Sequence, residues 1–188
     1  MITLRFDGLF RGVPRKNVHR SSAGFMCYGW IISRRGVIIA RGHGGFARGA
    51  DANSQIAEYL ALIDGLDAAK DMKLGDEPVE ITGDSKGVIG QMQGHIRVSE
   101  PSVVPLFHRA ARLAQRLNII RWMWLPRRYN RAADFLARYA MKQVRLDQQS
   151  YEEVVDAFLT QKWDAFSLHR FIPLVDLRVY CGSLPLGN

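Results

Sequence analysis

The chain has 188 residues, 47% of them apolar, enough to bury the core of one α/β domain and too apolar for general disorder. No run of about twenty apolar residues is present to span a membrane, and the start, MITLRFDGLF, lacks the basic and apolar regions of a secretory signal. The formal charge is +8 and unevenly spread: residues 147–188 hold three basic and six acidic residues, which leaves 23 basic and 12 acidic residues on 1–146. A basic body suits a polyanionic partner, or is simply a soluble basic surface. The two cysteines, Cys27 and Cys181, form no CxxC pair, which favours a reducing, cytoplasmic setting over a disulfide framework. The five histidines have no zinc-ligand spacing, and no GxxxxGK[ST] phosphate loop occurs.

In chain order, residues 2–7 (ITLRFD) predict a short strand ending at Asp7, followed by a basic loop with Arg11, Arg15, Lys16 and Arg20. A second strand is expected over 24–32, a turn at Arg34-Arg35-Gly36 and a third strand over 37–43. Gly42, Gly44, Gly45 and Gly49 predict a flexible connection. Ile56, Tyr59, Leu60, Ile63 and Leu66 recur at helical steps and predict a helix over 54–72 that carries Glu58 among apolar neighbours. Val79–Thr82 predict a fourth strand running into Gly83-Asp84-Ser85. A short helical stretch, a Gly/Ser/Pro region to Pro101, a helix over 102–117 and a fifth strand over 119–125 follow. A basic loop, 126–130, leads into a helix from Arg131 that carries Asp134. The order is βββαβαβα with an additional helix, a mixed sheet covered by helices. Residues 147–188 form an extension to the 1–146 domain. In it, Ser150 and Glu153 fit a capping box before an amphipathic helix to about 166, and residues 171–180 look extended. That last segment could pack on the domain, cover an edge strand, or pair with a second copy of the chain to make a homodimer.

The acids carry the chemistry. Asp7 and Asp84 each end a strand, and ligands of open α/β sheets gather at the carboxyl ends of strands. If those two strands are parallel neighbours, the flanking helices can bring Glu58 and Asp134 to the same point. Four carboxylates together repel one another unless divalent cations fill the cluster, and oxygen-only sites favour Mg²⁺ or Mn²⁺. Each acid also has a plainer reading. Asp7-Gly8 could be a turn, Asp84 a helix cap and Asp134 a complement to a helix dipole. Glu58 is the hardest to explain away, because an acid beside an apolar stripe is costly without a partner.

FDG at 6–8, Gly12 with Pro14, Ala23-Gly24 leading to Tyr28-Gly29, AEYLALIDGLDAA at 57–69, GDSKGVI at 83–89 and WLPRRYNRAADFLA at 124–137 occur in this order. Over about residues 1–142 the chain resembles the type 1 ribonuclease H family, in its short, reverse-transcriptase-like branch. The resemblance implies a ribonuclease H-like α/β fold with a five-stranded mixed sheet flanked by helices, here with a C-terminal α/β extension. It implies an endonuclease that cuts the RNA strand of RNA–DNA hybrids and leaves 5′-phosphate and 3′-hydroxyl ends. Asp7, Glu58, Asp84 and Asp134 would bind two Mg²⁺ ions, with Mn²⁺ as a substitute. Gly8, Gly12, Ser54, Gln55, Arg127, Arg128 and Asn130 would contact substrate.

The departures from the family pattern are local. Asn53-Ser54-Gln55 stands where many members have Asn-Asn, and Pro126-Arg127-Arg128-Tyr129-Asn130 stands where many carry a loop His. An arginine stays charged and shuttles no proton, but could bind the scissile phosphate or displace a metal. The segment 86–106 is too short and too weakly basic for the family's protruding handle. Grip on a hybrid could then fall to Arg11, Arg15 and Lys16 and to the helix with Arg109, Arg112 and Arg116, whose plainer reading is a solvated face. Of Trp122 and Trp124, core packing accounts for at least one, and base stacking is the alternative for the other. Two other functions fit the sequence less well: a non-catalytic nucleic-acid-binding module, and a resolvase- or transposase-like DNA nuclease on a related sheet.

Overall fold

The computed structural model describes residues 1–12, 23–147, 153 and 170–181. The expected basic positions Arg15, Lys16 and Arg20, Pro14 of the family motif, and the capping box with its helix to 166 (Glu153 apart) lie outside the described residues. Among the described residues the elements follow in the order β1 (Ile2–Gly12), β2 (Gly24–Arg34), β3 (Val37–Arg48), α1 (Ser54–Asp71), β4 (Val79–Gly83), α2 (Lys86–Met92), α3 (Val104–Ala114), β5 (Ile119–Trp124), α4 (Arg131–Leu146) and β6 (Ile172–Tyr180), with a 3₁₀ turn at Arg127–Tyr129. The strands form one mixed sheet, ordered β5-β4-β1-β2-β3-β6. The architecture is the expected α/β one with a sixth strand added.

Strand β1 does not end at Asp7. It pairs antiparallel with β2 from Ile2↔Arg34 to Gly12↔Gly24, whereas its parallel partner β4 stops at Phe6↔Gly83. Asp7 therefore lies where one neighbour runs out and the other continues. The β2–β3 hairpin closes at Arg35 and Gly36, both with positive φ (52° and 83°), the backbone that a two-residue turn needs between right-twisted strands. Of the glycines expected to form a flexible connection, Gly42, Gly44 and Gly45 are strand instead, and only Gly49 lies past β3, which continues to Arg48. A Cβ at Gly42 would run into the Trp30 ring, and one at Gly44 into the Tyr28 hydroxyl. These glycines leave room for aromatic side chains of β2 to lie across β3, so their spacing reflects packing rather than flexibility.

Helix α1 starts at Asn53, whose side chain accepts the Ile56 amide at 2.9 Å, one of the orphan donors of a first turn. It is buried nearly all round, because it lies between the sheet and α3. Ile2, Leu4, Phe6, Trp30, Ile32, Ile56, Leu62 and Leu66 fill the core on that face. Helix α4 covers the other face over Phe25, Cys27 and Ala47 through Ala140, Met141 and Val144. It comes close because Gly29 has no side chain: a Cβ there would lie 2.7 Å from the Ala133 carbonyl.

The extended segment near the C-terminus pairs antiparallel with β3 of its own chain, from Ala40↔Tyr180 to Ala47↔Ile172. Arg178 of β6 ties this strand to α1. It donates to Asp64 at 2.5 Å and reaches Asp71 at 3.2 Å and Asp67 at 3.5 Å, while the Trp30 indole donates to the other Asp64 oxygen at 2.5 Å. No helix among the described residues is long and apolar enough to cross a membrane.

Candidate active site

Strands β1 and β4 run parallel and in register up to Phe6↔Gly83, so the next residues, Asp7 within β1 and Asp84 just past β4, lie side by side where that pairing stops. Asp84 does not cap α2, because Ser85 does so by accepting the Val88 amide at 3.4 Å. That leaves the Asp84 carboxylate for other work. Glu58 joins the pair because Gly8 lets β1 press against α1: a Cβ at Gly8 would collide with the backbone of Ala57 and Glu58. The Gly8 amide also donates to the Glu58 carboxylate. One carboxylate oxygen from each of Asp7, Glu58 and Asp84 lies within 4.8 Å of the others.

The electrostatics of the trio are those of a site short of positive charge. Burial pushes Asp7 up to about 8, helped by the charge of Asp84, a hydrogen bond with it, and the charge of Asp134. Burial also holds Glu58 well above the ordinary carboxylate range, with Asp7 and Asp84 adding to the effect. Asp7 Oδ2 and Glu58 Oε2 are buried without a hydrogen-bond partner. Bare carboxylate oxygens converging within this distance suit a hard divalent cation, so the donor set fits Mg²⁺ or Mn²⁺.

Asp134 occupies the first turn of α4, as expected, and is not within the trio. Its Oδ1 is held by Arg127 through Nη2 at 2.5 Å and Nε at 3.1 Å, and its Oδ2 by Arg138 at 2.7 Å. Burial works upward on Asp134, but the hydrogen bonds and charges of Arg138 and Arg127 outweigh it and hold the carboxyl below its usual range.

The residues expected to touch substrate divide. Gly12, Ser54, Arg127 and Arg128 are exposed, and the Arg128 guanidinium lies 4.9 Å from the Tyr129 ring centroid. Gly8 lies against α1. Gln55 is half-buried and donates to Gln91 Oε1 at 2.9 Å, an oxygen that also accepts from the Tyr59 hydroxyl at 2.8 Å. Asn130 is fully buried. Its amide nitrogen donates to the Phe6 carbonyl at 2.8 Å and to Asp84 Oδ1 at 3.3 Å, so it ties the start of α4 to β1 and to the site. Arg109, Arg112 and Arg116 are exposed near the C-terminal half of α3.

One contributor, Gln91, was not singled out in the sequence, and a second, Trp124, was read only as core packing or base stacking. Gln91 fixes Gln55 from α2, and nothing in its own surroundings announces a pairing 36 residues away. The Trp124 indole donates to the Asp84 carbonyl at 2.9 Å while Lys86 lies 4.4 Å over its ring, so this exposed tryptophan braces the turn that presents Asp84. Its place at the end of β5, in register with Gly83, was the available signal.

The family model described as "Reverse transcriptase-like" matches residues 12–140. The chain belongs to this ribonuclease H-like family. It is 34% identical over 140 residues to the "Bifunctional protein Rv2228c" of Mycobacterium tuberculosis (strain ATCC 25618 / H37Rv), which covers 74% of this chain and 35% of that protein. It is 35% identical over 137 residues to the ribonuclease HI of Halobacterium salinarum, covering 72% of this chain and 62% of that one. The chain thus spans about a third of the length of the mycobacterial relatives it matches. Among solved structures, the N-terminal RNase H domain of Rv2228c superposes with a TM-score of 0.61 at 33% identity, over 75% of this chain and 93% of that one. LC11-RNase H1 in complex with an RNA/DNA hybrid gives 0.63 at 26% identity, over 76% and 97%.

Proposed function

We propose that this chain is a metal-dependent endoribonuclease that hydrolyses the RNA strand of RNA–DNA hybrids and leaves 5′-phosphate and 3′-hydroxyl ends. One observation carries the reading: Asp7, Glu58 and Asp84 converge within 4.8 Å, and two of them present buried oxygens with no partner. Such a group serves no structural purpose that a neutral residue would not serve better. Family membership and the likeness to an RNase H1 solved with an RNA/DNA hybrid support the choice of substrate.

In this reading Asp7, Glu58, Asp84 and Asp134 hold two divalent ions, Mg²⁺ or in its place Mn²⁺. When bound, these ions supply charge neutralisation and Lewis acidity at the attacking water and at the departing 3′ oxygen. Asn130 and Trp124 keep Asp84 in place from either side, through its carboxylate and its carbonyl. The exposed guanidinium groups of Arg127 and Arg128 are placed to meet phosphate oxygens, for which their planar fork is suited. Backbone at Gly8 and Gly12 and the polar ends of Ser54 and Gln55 are the proposed contacts to sugars and bases, where 2′-hydroxyls distinguish RNA from DNA. A cytoplasmic place of action, inferred from cysteine usage, belongs to this proposal, as does the division into a catalytic part at 1–146 and an extension at 147–188.

The test is cleavage of an end-labelled RNA–DNA hybrid with Mg²⁺ or Mn²⁺, beside single-stranded RNA, duplex RNA and duplex DNA, with Asp84→Asn as the comparison protein. The expected result is cleavage of the hybrid's RNA strand alone, lost in the variant. No hybrid cleavage with either metal, or equal activity in the variant, would point to a binding module. Cleavage of duplex DNA would point to the resolvase-like alternative.

A further inference from the structure

The two halves of the acidic site are in opposite electrostatic states. Among the described residues, Asp7, Glu58 and Asp84 form no ion pair, and their buried oxygens face one another. Asp134, a short step away, is saturated. Arg127 takes one of its oxygens in a two-nitrogen grip, and Arg138 takes the other from the next turn of α4. Both arginines are more than half exposed, at 57% and 59% of their side-chain surface. Arg138 comes from the same helix, at the i,i+4 spacing that holds such a pair together locally. Arg127 comes from the 3₁₀ turn between β5 and α4, and it also faces the trio, where its charge pulls Asp7 and Glu58 downward.

A guanidinium cannot lose its charge at any working pH, so Arg127 is released from Asp134 by an exchange of partners and not by titration, and a competing anion favours that exchange. A phosphodiester is such an anion, and its two free oxygens match the same fork. We propose that Arg127 is a built-in counter-ion that withholds Asp134 from the metal cluster until a nucleic-acid phosphate draws it away. The free protein then takes up one divalent ion, at Asp7, Glu58 and Asp84, and takes up a second only with nucleic acid bound. This rests on the proposed metal-dependent function and adds an order of assembly to it. Arg127 acts here through Asp134, as a gating residue, and contributes nothing to proton transfer.

The experiment counts bound Mn²⁺ on the metal-free full-length protein by calorimetry and by the electron-spin-resonance signal of the unbound ion. The wild type is expected to bind one ion, and a second when a hybrid with a 2′-O-methyl RNA strand, which cannot be cut, is added. Arg127→Ala is expected to bind two ions without nucleic acid, the second at least about tenfold tighter than in the wild type. Arg127→Lys should lie between them, because a lysine keeps the charge but loses the two-nitrogen grip. Arg34→Ala, at the opposite end of the β1–β2 pair from Asp7, should match the wild type, and circular dichroism confirms that each variant is folded. Two ions on the free wild type with the affinity seen in Arg127→Ala, or one ion on Arg127→Ala, overturns the inference while leaving the metal site in place. No ion on any protein, or full uptake by Asp84→Asn, overturns the metal reading itself and the inference with it.

Discussion

Helix α1 carries acids in two settings. Glu58, in its second turn, points at two more carboxylates and has no cation of its own. Further along, Asp64, Asp67 and Asp71 receive Arg178 from β6, Lys70 pairs with Asp67 and Asp71, and the Trp30 indole completes Asp64. The second group is what a helix does with acids when the aim is stability: on Asp67, burial pushes upward and Lys70 and Arg178 outweigh it. Among the described residues the first group has no ion pair, and the Gly8 and Asn130 amides and the charge of Arg127 do not outweigh burial and mutual repulsion at Asp7 and Glu58. Unsatisfied charge within a well-satisfied scaffold is therefore local to the candidate site and is the mark of function rather than of loose packing.

The largest effect expected from breaking this contrast is at Asp7. Its folded-state value, about 8, lies above the unfolded value of about 3.9. As pH rises through that interval the unfolded chain releases the proton first, the folded chain binds more protons, and stability falls; above about 8 the loss levels off. In metal-free protein, Asp7→Asn should then raise stability by about 2–4 kcal/mol near pH 7, leave it unchanged near pH 4, and abolish cleavage. Urea unfolding in chelator at a series of pH values measures this. A wild-type stability that is flat or rising between about pH 5 and 8 would show that the trio is not strained by its own charge.

The opposite change belongs to the satisfied group. Arg178→Ala leaves Asp64 with 11% of its side-chain surface exposed and no cation, and should cost about 2–3 kcal/mol by chemical denaturation. It should also loosen β6, read as faster amide exchange at Val175, Leu177 and Val179. A cost below about 0.5 kcal/mol would mean that the last strand is held by its backbone pairing alone.

Next in size is Gly8, where β1 meets α1. A side chain there has no room beside the Ala57–Glu58 backbone, so Gly8→Ala should cost about 2 kcal/mol and reduce activity by more than that loss of folded protein explains, because Glu58 moves. Equal losses of stability and activity would place Gly8 in the scaffold only.

Asp84 and Glu58 were legible because the end of β4 and the helix α1 can be read from periodicity; Asp7 was read as a strand end but lies within β1, and it meets Asp84 because the parallel pairing of β1 and β4 stops beside it. The company of Asp134 was less legible. Its motif placed it on the right turn, but the grip of Arg127 depends on how the 3₁₀ turn folds back, which no spacing reveals. Asn130 was expected to contact substrate from the family resemblance alone, and it is buried because its amide has two acceptors, on β1 and at Asp84, that are distant in sequence. The glycines of β3 read as a loop because a strand with no side chains has no period of its own; the Trp30 and Tyr28 rings that fill the space belong to another strand. The pairing of β6 with β3 joins segments more than a hundred residues apart, and the alternating pattern of 171–180 was equally consistent with a partner in another chain.

The smallest effect sharpens the same contrast by holding chemistry fixed and changing only the surroundings. Arg34 grips Glu77 with Nη2 at 2.6 Å and Nε at 3.2 Å, a fork as well formed as that of Arg178 on Asp64. Its partners, however, are 46% and 36% exposed. Water already solvates both ions there, so forming the pair recovers little and fixing two long side chains offsets much of it. Arg34→Ala should therefore change stability by less than about 0.5 kcal/mol, and the change should shrink further in 1 M salt. The Arg178→Ala loss should persist in salt, because ions do not reach a pair shielded by β6 and α1. If the two variants cost the same, burial is not what separates the two groups of acids, and the strain assigned to Asp7, Glu58 and Asp84 would have to be sought in their mutual repulsion alone.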